Sequence, residues 1–528
     1  MSSVSYDKGD LITPAPTPLQ AAGKVPVARG SYNQILKSSA VIGGSSILNI
    51  GFGIIRSKAM AVLLGPAGFG LFGLYGLIAD LTQSIAGMGI NSSGVRQIAE
   101  ASGMDDMEKI ARTSAVLRRA SVALGVMGAL LLIVFSKQVS RLTFGGVQHA
   151  PAVCLLAVVV FLKLISAGQG ALVQGMRRIG DLAKMSFLGA IFGTCISIPI
   201  VYFFRANGVV PSLVCVATTS IATSWWFSRK LHADSPPMTL TQIGEEAAAL
   251  LKLGFAFMAS GLMTMGVAYL VRITVLHKVG LEATGLYQSA WTIGGLYVGF
   301  ILQAMGADFY PRLTVNAKNN SECNRLVNEQ TLVGLLLAVP GIIGTLTFAP
   351  LVIALFYSAK FGAAVGVLRW ICLGVTLQII TWPMGFIIVA KGKQKTFFFC
   401  ELAWTIVAMS LAWICITFMG VNGAGIAFFG SYVFHLVLIY PVVRRLSGFY
   451  WSAANMRTGL FFFSSITLVF CAHYILPFLW SIVFGTLAIS LTAAYSVRTL
   501  LTIVSIDDLP PRIHKSLAQL KLVLLNLR

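Results

Sequence analysis

Six ionisable side chains lie inside runs of sequence that are otherwise apolar: Arg56, Lys58, Asp80, Lys163, Arg272 and Arg369. In a bilayer each would cost about 2.5–3.5 kcal/mol at a helix centre, unless it meets water or a partner. Their neighbours at helical spacing are small or polar. Arg56 extends a stripe through Ser45, Asn49 and Gly53; Lys163 shares a face with Ser166, Gly170 and Gln174; Asp80 shares one with Gly73, Gly76, Gln83 and Gly87. Five cations against one acid predict a cationic interior suited to phosphorylated cargo. Guanidinium fits that task because it offers planar paired donors and keeps its charge. The candidate cargo-binding residues are therefore Arg56, Arg272, Lys163, Arg369 and Asn49. Asp80 is the candidate coupling residue, binding a proton or cation or switching its pairing with a nearby base. Competing structural readings are snorkelling to the headgroups for the arginines and Lys58, and a structural ion pair, with partners unnamed, for Lys163 and for Asp80. Glu401 reads as interfacial, and His435 as a hydrogen-bonded core histidine.

The elements that carry these residues must be membrane helices. Hydrophobic residues make up 56% of the 528-residue chain and charged ones only 11%, whereas soluble domains carry about 25% charge. About fourteen apolar runs are long enough to span: 40–63, 68–90, 113–135, 151–174, 182–204, 208–228, 252–276, 284–306, 329–350, 364–390, 396–418, 421–443, 457–476 and 478–500. The net charge of +21 does not indicate nucleic acid, because the basic residues are scattered in small groups between apolar runs. With the N-terminus inside, only Lys137, Arg141, Arg205, Lys278 and Lys360 of the 39 Lys and Arg fall in outside loops. That bias predicts both termini in the cytoplasm.

The expected fold is all-α: two six-helix lobes in parallel repeat plus two C-terminal helices. Residues 1–36 read as a disordered tail, 37–228 as the N-lobe, 229–251 as a cytoplasmic linker, 252–446 as the C-lobe, 447–500 as the extra helices and 501–528 as a basic tail. The linker carries a helix start, Thr239 with Gln242, at capping-box spacing. Residues 511–528 place Ile513, Leu517, Leu520 and Leu524 on one face, as an interfacial helix attracted to anionic lipid would. The eight cysteines form no C-x-x-C pair and read as small apolar fillers. Gly295 and Gly299 read as a close helix-packing motif. Gly68, Gly70 and Gly73 spell G-x-G-x-x-G but open an apolar span, where a dinucleotide fold has no place.

The halves repeat. Arg56 precedes L-L-G-P-A-G-F-G-L-F at 63–72, and Arg272 precedes K-V-G-L-E-A-T-G-L-Y at 278–287, so Gly65 and Gly70 match Gly280 and Gly285. A parallel repeat puts a cavity between the lobes. The stretch 63–100, with L-L-G-P-A-G-F-G-L-F-G-L-Y, G-M-G-I and V-R-Q-I-A-E, and the stretch 305–314, M-G-A-D-F-Y-P-R-L-T, resemble the O-antigen (Wzx-type) flippase branch of the multidrug/oligosaccharidyl-lipid/polysaccharide exporter superfamily. That resemblance implies alternating access and an undecaprenyl-diphosphate-linked oligosaccharide, an O-antigen or exopolysaccharide unit, as cargo. It also implies the bacterial inner membrane, no cofactor, and membrane lipids and polysaccharide polymerase machinery as partners. Fourteen spans instead of the branch's usual twelve is similar to lipid II flippases.

Three function classes remain in view: a glycolipid flippase, a multidrug or cation antiporter of the same fold, and a membrane enzyme on the same carrier. An antiporter needs acid at depth, where only Asp80 stands. An enzyme needs a platform outside the membrane, yet the longest outside loop, 136–150, holds no carboxylate.

Overall fold

The computed structural model describes residues 29–104, 106–231, 238–304 and 309–503, with side chains from residue 49 onward except at 240, 253, 256, 257, 259, 260, 298, 300–304, 311 and 503. The tail up to residue 28, the segment 232–237, residues 305–308 of the second family-like stretch and the surface helix expected at 511–528 lie outside the described residues.

The described residues form helices α1 (Arg29–Gly87), α2 (Ile90–Gly103), α3 (Met107–Val134), α4 (Ser136–Phe144), α5 (Ala150–Gly175), α6 (Ile179–Phe204), α7 (Val209–Ser228), α8 (Leu240–Lys278), α9 (Leu281–Ala304), α10 (Tyr310–Val315), α11 (Asn320–Thr347), α12 (Ala349–Phe356), α13 (Ala364–Ala390), α14 (Gln394–Met419), α15 (Val421–Ser447), α16 (Ala453–Ile475) and α17 (Phe478–Ile503). Among them, 10 segments are long and apolar enough to cross a membrane, fewer than the count read from sequence. Asn49–Gly87 and Ile179–Leu231 are each longer than one crossing needs. The first is divided at Gly65 and the second by the short turn Arg205–Gly208. Large apolar side chains such as Phe418, Leu460 and Trp480 lie exposed on the outer helix faces, which suits lipid and not water.

Gly65 breaks α1 at φ 67, ψ −176, a backbone region that only glycine occupies at low cost. Pro66 follows and lacks the N–H that a continuous helix would use there. Its repeat partner Gly280 also has positive φ (114) and separates α8 from α9. The two matched glycines therefore make the same kind of joint in the two halves.

In the first half α1 packs on α6, α3 and α7 on α5, and α6 on α7; in the second, α13 packs on α15, α11 and α9, and α14 on α15. The last two helices rest on α11. Buried amides of α11 fix the end of α15 and the start of α16. Asn324 Nδ2 donates to the Ser447 carbonyl at 3.0 Å, and Asn328 Oδ1 accepts from Ser452 N at 2.8 Å and Asn455 Nδ2 at 2.7 Å.

Several boundaries differ from the sequence expectation. Helix α1 starts at Arg29, inside the segment read as tail. The capping box forms, with Thr239 Oγ1 accepting from Gln242 N and Gln242 Oε1 from Thr239 N, but it opens one helix that runs unbroken from Leu240 to Lys278. Expected linker and span are thus one rod, in which Gly254, just past the junction, keeps helical backbone. The loop 136–150, expected on the outside, holds α4, whose Thr143 Oγ1 lies 2.5 Å from the Tyr269 hydroxyl of α8.

Candidate transport path at the lobe seam

Two glycine contacts hold the halves together. At the end marked by Gly65 and Gly280, the second part of α1 lies against α9. A Cβ added to Gly70 would stand 2.7 Å from the Leu281 carbonyl oxygen and 2.9 Å from Gly285 N; one added to Gly285 would stand 1.8 Å from the Pro66 carbonyl oxygen. At the opposite end a Cβ on Gly89 would stand 2.0 Å from the Gly254 carbonyl oxygen, and one on Gly254 2.4 Å from that of Met88. Only residues without side chains allow backbones this close. Between the two contacts lies a cavity of about 270 Å³ lined on one side by Asp80, Gln83 and Gly87, and on the other by Met258, Gly261 and Met265.

Asp80 and Lys163 meet there. Lys163 Nζ donates to Asp80 Oδ1 at 2.5 Å, with side chains 30% and 46% exposed respectively. The pair is thus open on one side, and water reaching it there would screen its attraction well below that of a buried pair. Exposure of that size in an apolar helix is what a hydrated path requires.

Arg272 is buried, 4% exposed. Its Nε donates to Gln288 Oε1 at 2.7 Å and its Nη1 to the Ala268 carbonyl at 2.9 Å, while the rings of Tyr287 and Trp291 flank the guanidinium at 5.5 and 5.6 Å. Gln288 also abuts the other half: a Cβ on Gly73 would lie 2.9 Å from its Cγ. The arginine is therefore held by a residue that itself forms part of the seam. Sequence reasoning missed Gln288. Its spacing from Gly285 was a usable signal, since residues 285 and 288 share a helix face.

The other candidates are placed less centrally. Arg56 is partly exposed and its Nε has no hydrogen-bond partner. Asn49 Oδ1 is likewise buried without a partner. Arg56 stands on α1 before the Gly65 joint and Arg272 on α8 before the Gly280 joint, so the two occupy matching places in the repeat. Arg369 has Cys372, Tyr474 and His473 as its electrostatic neighbours. It lies about 200° around α13 from Ile371, which lines the C-lobe cavity. The structure thus separates Arg369 from the seam, toward α16.

Gly295 and Gly299 correct the sequence reading. A Cβ on either meets nothing within 4 Å, and both line a cavity of about 290 Å³ enclosed by α8, α9, α13, α14 and α15. Their smallness makes space instead of helix contact. A second cavity of about 250 Å³ adjoins it and is lined by Glu401 and His435. Glu401 is therefore not simply interfacial: its Oε1 lies 3.8 Å from His435 Nε2.

Comparison with known proteins agrees with this architecture. A family model described as polysaccharide biosynthesis protein matches residues 59–366. The lipid III flippase of Escherichia coli (strain K12) is 22% identical over 418 residues, covering 76% of this chain and 97% of that protein. The probable flippase AglR of Haloferax volcanii is 22% identical over 342 residues, covering 62% of this chain and 68% of that one. Among solved structures, the lipid II flippase MurJ in an inward closed conformation superposes with a TM-score of 0.65 at 13% identity, covering 87% of this chain and 99% of that chain. An inward-facing multidrug resistance transporter of the MATE family gives 0.60 at 18% identity, covering 76% and 98%. The chain is a multi-pass membrane protein that belongs to the polysaccharide biosynthesis protein family and has the fold of the multidrug/oligosaccharidyl-lipid/polysaccharide exporter superfamily of transporters.

Proposed function

We propose that this protein is a flippase that moves an undecaprenyl-diphosphate-linked oligosaccharide, an O-antigen or exopolysaccharide repeat unit, from the inner to the outer leaflet of the bacterial inner membrane. The observation that carries the reading is the seam: a cavity between two glycine contacts, one at each end, with the Asp80–Lys163 pair at its wall. Side chains pack beside both contacts, Phe69 on Tyr357 and Phe361 at one and Ile90 with Leu250 at the other, so parting either contact exposes apolar surface that re-forming it buries again. Opening one while the other stays shut is alternating access. The charge bias of the loops puts the Gly70–Gly285 contact on the outer side and the Gly89–Gly254 contact on the inner side, with both termini cytoplasmic. The named relatives are flippases, which supports lipid-linked cargo over drugs.

Arg56 and Arg272, with Asn49, would take the diphosphate in turn as the lobes rearrange, and Lys163 would pass it deeper. Contacts of this kind must stay few, because the cargo has to leave. Asp80 competes with the phosphate for Lys163, so arrival of an anion frees the carboxylate to take a proton or cation. An antiporter for cations would need Asp80 unneutralised, and here it is spent on Lys163.

The test is translocation in proteoliposomes. Undecaprenyl-diphosphate-linked oligosaccharide, lipid II and a cationic dye are supplied on one side, and an impermeant glycosidase reads the glycolipid that crosses. Protein-dependent crossing of the oligosaccharide carrier is the expected result. Crossing of lipid II alone moves the protein to the other flippase branch, and crossing of dye alone rejects the reading.

A further inference from the structure

The two C-lobe cavities are not used by the seam, and their chemistry is specific. They share Thr264, Trp382, Trp404 and Tyr432, so they form one cleft with two chambers of about 290 and 250 Å³. Its walls are aromatic. The Trp404 and Tyr432 rings lie 5.7 Å apart, Phe428 and Tyr432 5.0 Å, and Trp291 and Phe428 5.2 Å. Two polar atoms in these walls have no hydrogen-bond partner: Trp404 Nε1 and His435 Nδ1. Both residues are more than nine-tenths buried, at 8% and 4% exposed. A buried donor left unmade costs stability, so an orphan in a cleft wall points to a ligand or water that completes it. The acceptor side is present too, in the Glu401 carboxylate and the Gln378 amide.

We propose that this cleft is a subsite for a sugar ring of the transported glycolipid; the inference rests on the flippase reading. A pyranose has an apolar C–H face and a rim of hydroxyls that both donate and accept. Aromatic walls match the face, and Trp404, His435, Gln378 and Glu401 match the rim. A polyprenyl tail would leave both orphans unmet. An organic cation would need Glu401 to itself, but His435 stands 3.8 Å from it and the indole N–H of Trp404 presents a positive edge. Position supports the sugar as well. Tyr287 and Trp291 flank the Arg272 guanidinium and also wall the cleft. A diphosphate drawn to Arg272 and a sugar in the cleft would thus share two walls, in the order in which the cargo carries them. Gly295 and Gly299 keep the floor clear, since a side chain at either would project into the open chamber.

The experiment compares farnesyl diphosphate with the same diphosphate bearing N-acetylglucosamine or galactose, binding to the full chain in nanodiscs. In the wild type, one of the sugars should tighten binding by about tenfold. Trp404→Phe keeps the ring and removes the N–H, and should lose about three- to tenfold of that gain. Trp404→Ala should lose all of it, while the sugar-free compound binds all three proteins alike. No gain from either sugar in the wild type overturns the subsite, as does equal weakening of all compounds by Trp404→Ala. Displacement of the sugar compound by tetraphenylphosphonium, abolished in Glu401→Gln, overturns it in favour of a cation site. Translocation of the same compounds in proteoliposomes separates the two readings. Crossing without a sugar gain rejects the subsite alone, and a sugar gain without crossing rejects the flippase alone.

Discussion

The two halves of the repeat share a backbone frame and differ in what they hang on it. With Gly70 set on Gly285, Gly73 corresponds to Gln288, Gly76 to Trp291 and Asp80 to Gly295. The first half therefore presents bare helix where the second presents large side chains, and a charge where the second presents none. The N-lobe leaves its Asp80–Lys163 pair partly exposed at the cavity wall. The C-lobe keeps its Arg272 dry, between two rings and an amide. On the flippase function proposed above, the duplicated fold would divide one task between an open wall along which an anion moves and a rigid wall that holds cargo in place. The two faces also interlock, because Gln288 needs the bare surface at Gly73.

The largest effect should come from the surface the halves share. Gly285→Val places a side chain where a Cβ would stand 1.8 Å from the Pro66 carbonyl oxygen. Outer closure should fail and transport should fall about 100-fold or more, to background. The same protein should label readily with an impermeant thiol reagent at a cysteine placed at Leu281. Transport near wild type in that variant would show that the seam does not close during the cycle.

Removing the dry cation comes next. Arg272→Ala should cut transport about 10- to 100-fold with normal membrane insertion, and Arg272→Lys should recover only part, since an ammonium cannot bond Gln288, the Ala268 carbonyl and two rings in one plane. Arg56→Ala should weaken transport by a similar factor if both arginines meet the diphosphate. Retained export by the well-inserted double variant would leave both as structural residues.

Asp80→Asn tests the open side. Its pairing with Lys163 is half-exposed, so the expected change in rate is about three- to tenfold, and the pH or membrane-potential dependence should flatten. An unaltered rate with unaltered dependence on both gradients would remove Asp80 from coupling.

The smallest effect lies outside the membrane path. Arg325 holds the Glu322 carboxyl at the start of α11 below the usual carboxylate range. A depressed folded pKa contributes stability above the unfolded value and loses it as pH falls through the folded one. Glu322→Gln should therefore lower the melting temperature slightly near neutral pH, by about 1 °C or less, and match the wild type at about pH 3. A larger loss would mean that the end of α11 matters more than the seam comparison allows.

Much of this could be read in the sequence because bilayer physics leaves few choices. Apolar run length dictates helices, since no water is present to satisfy a bare backbone. The pairs Gly65/Gly70 and Gly280/Gly285 announced the repeat, and the joints at Gly65 and Gly280 have the positive φ that glycine permits. The charges at Asp80 and Lys163 stood out because apolar helices rarely carry them. Tertiary structure alone decided which groups meet. Asp80 and Lys163 are 83 residues apart, and no periodicity pairs them. Gln288 looks like one more polar residue until α1 is laid against α9. Gly295 and Gly299 have the spacing of a helix contact, yet they face open space. Spacing along one helix says which residues share a face; only the packed neighbours determine whether that face meets a helix, a cavity or lipid.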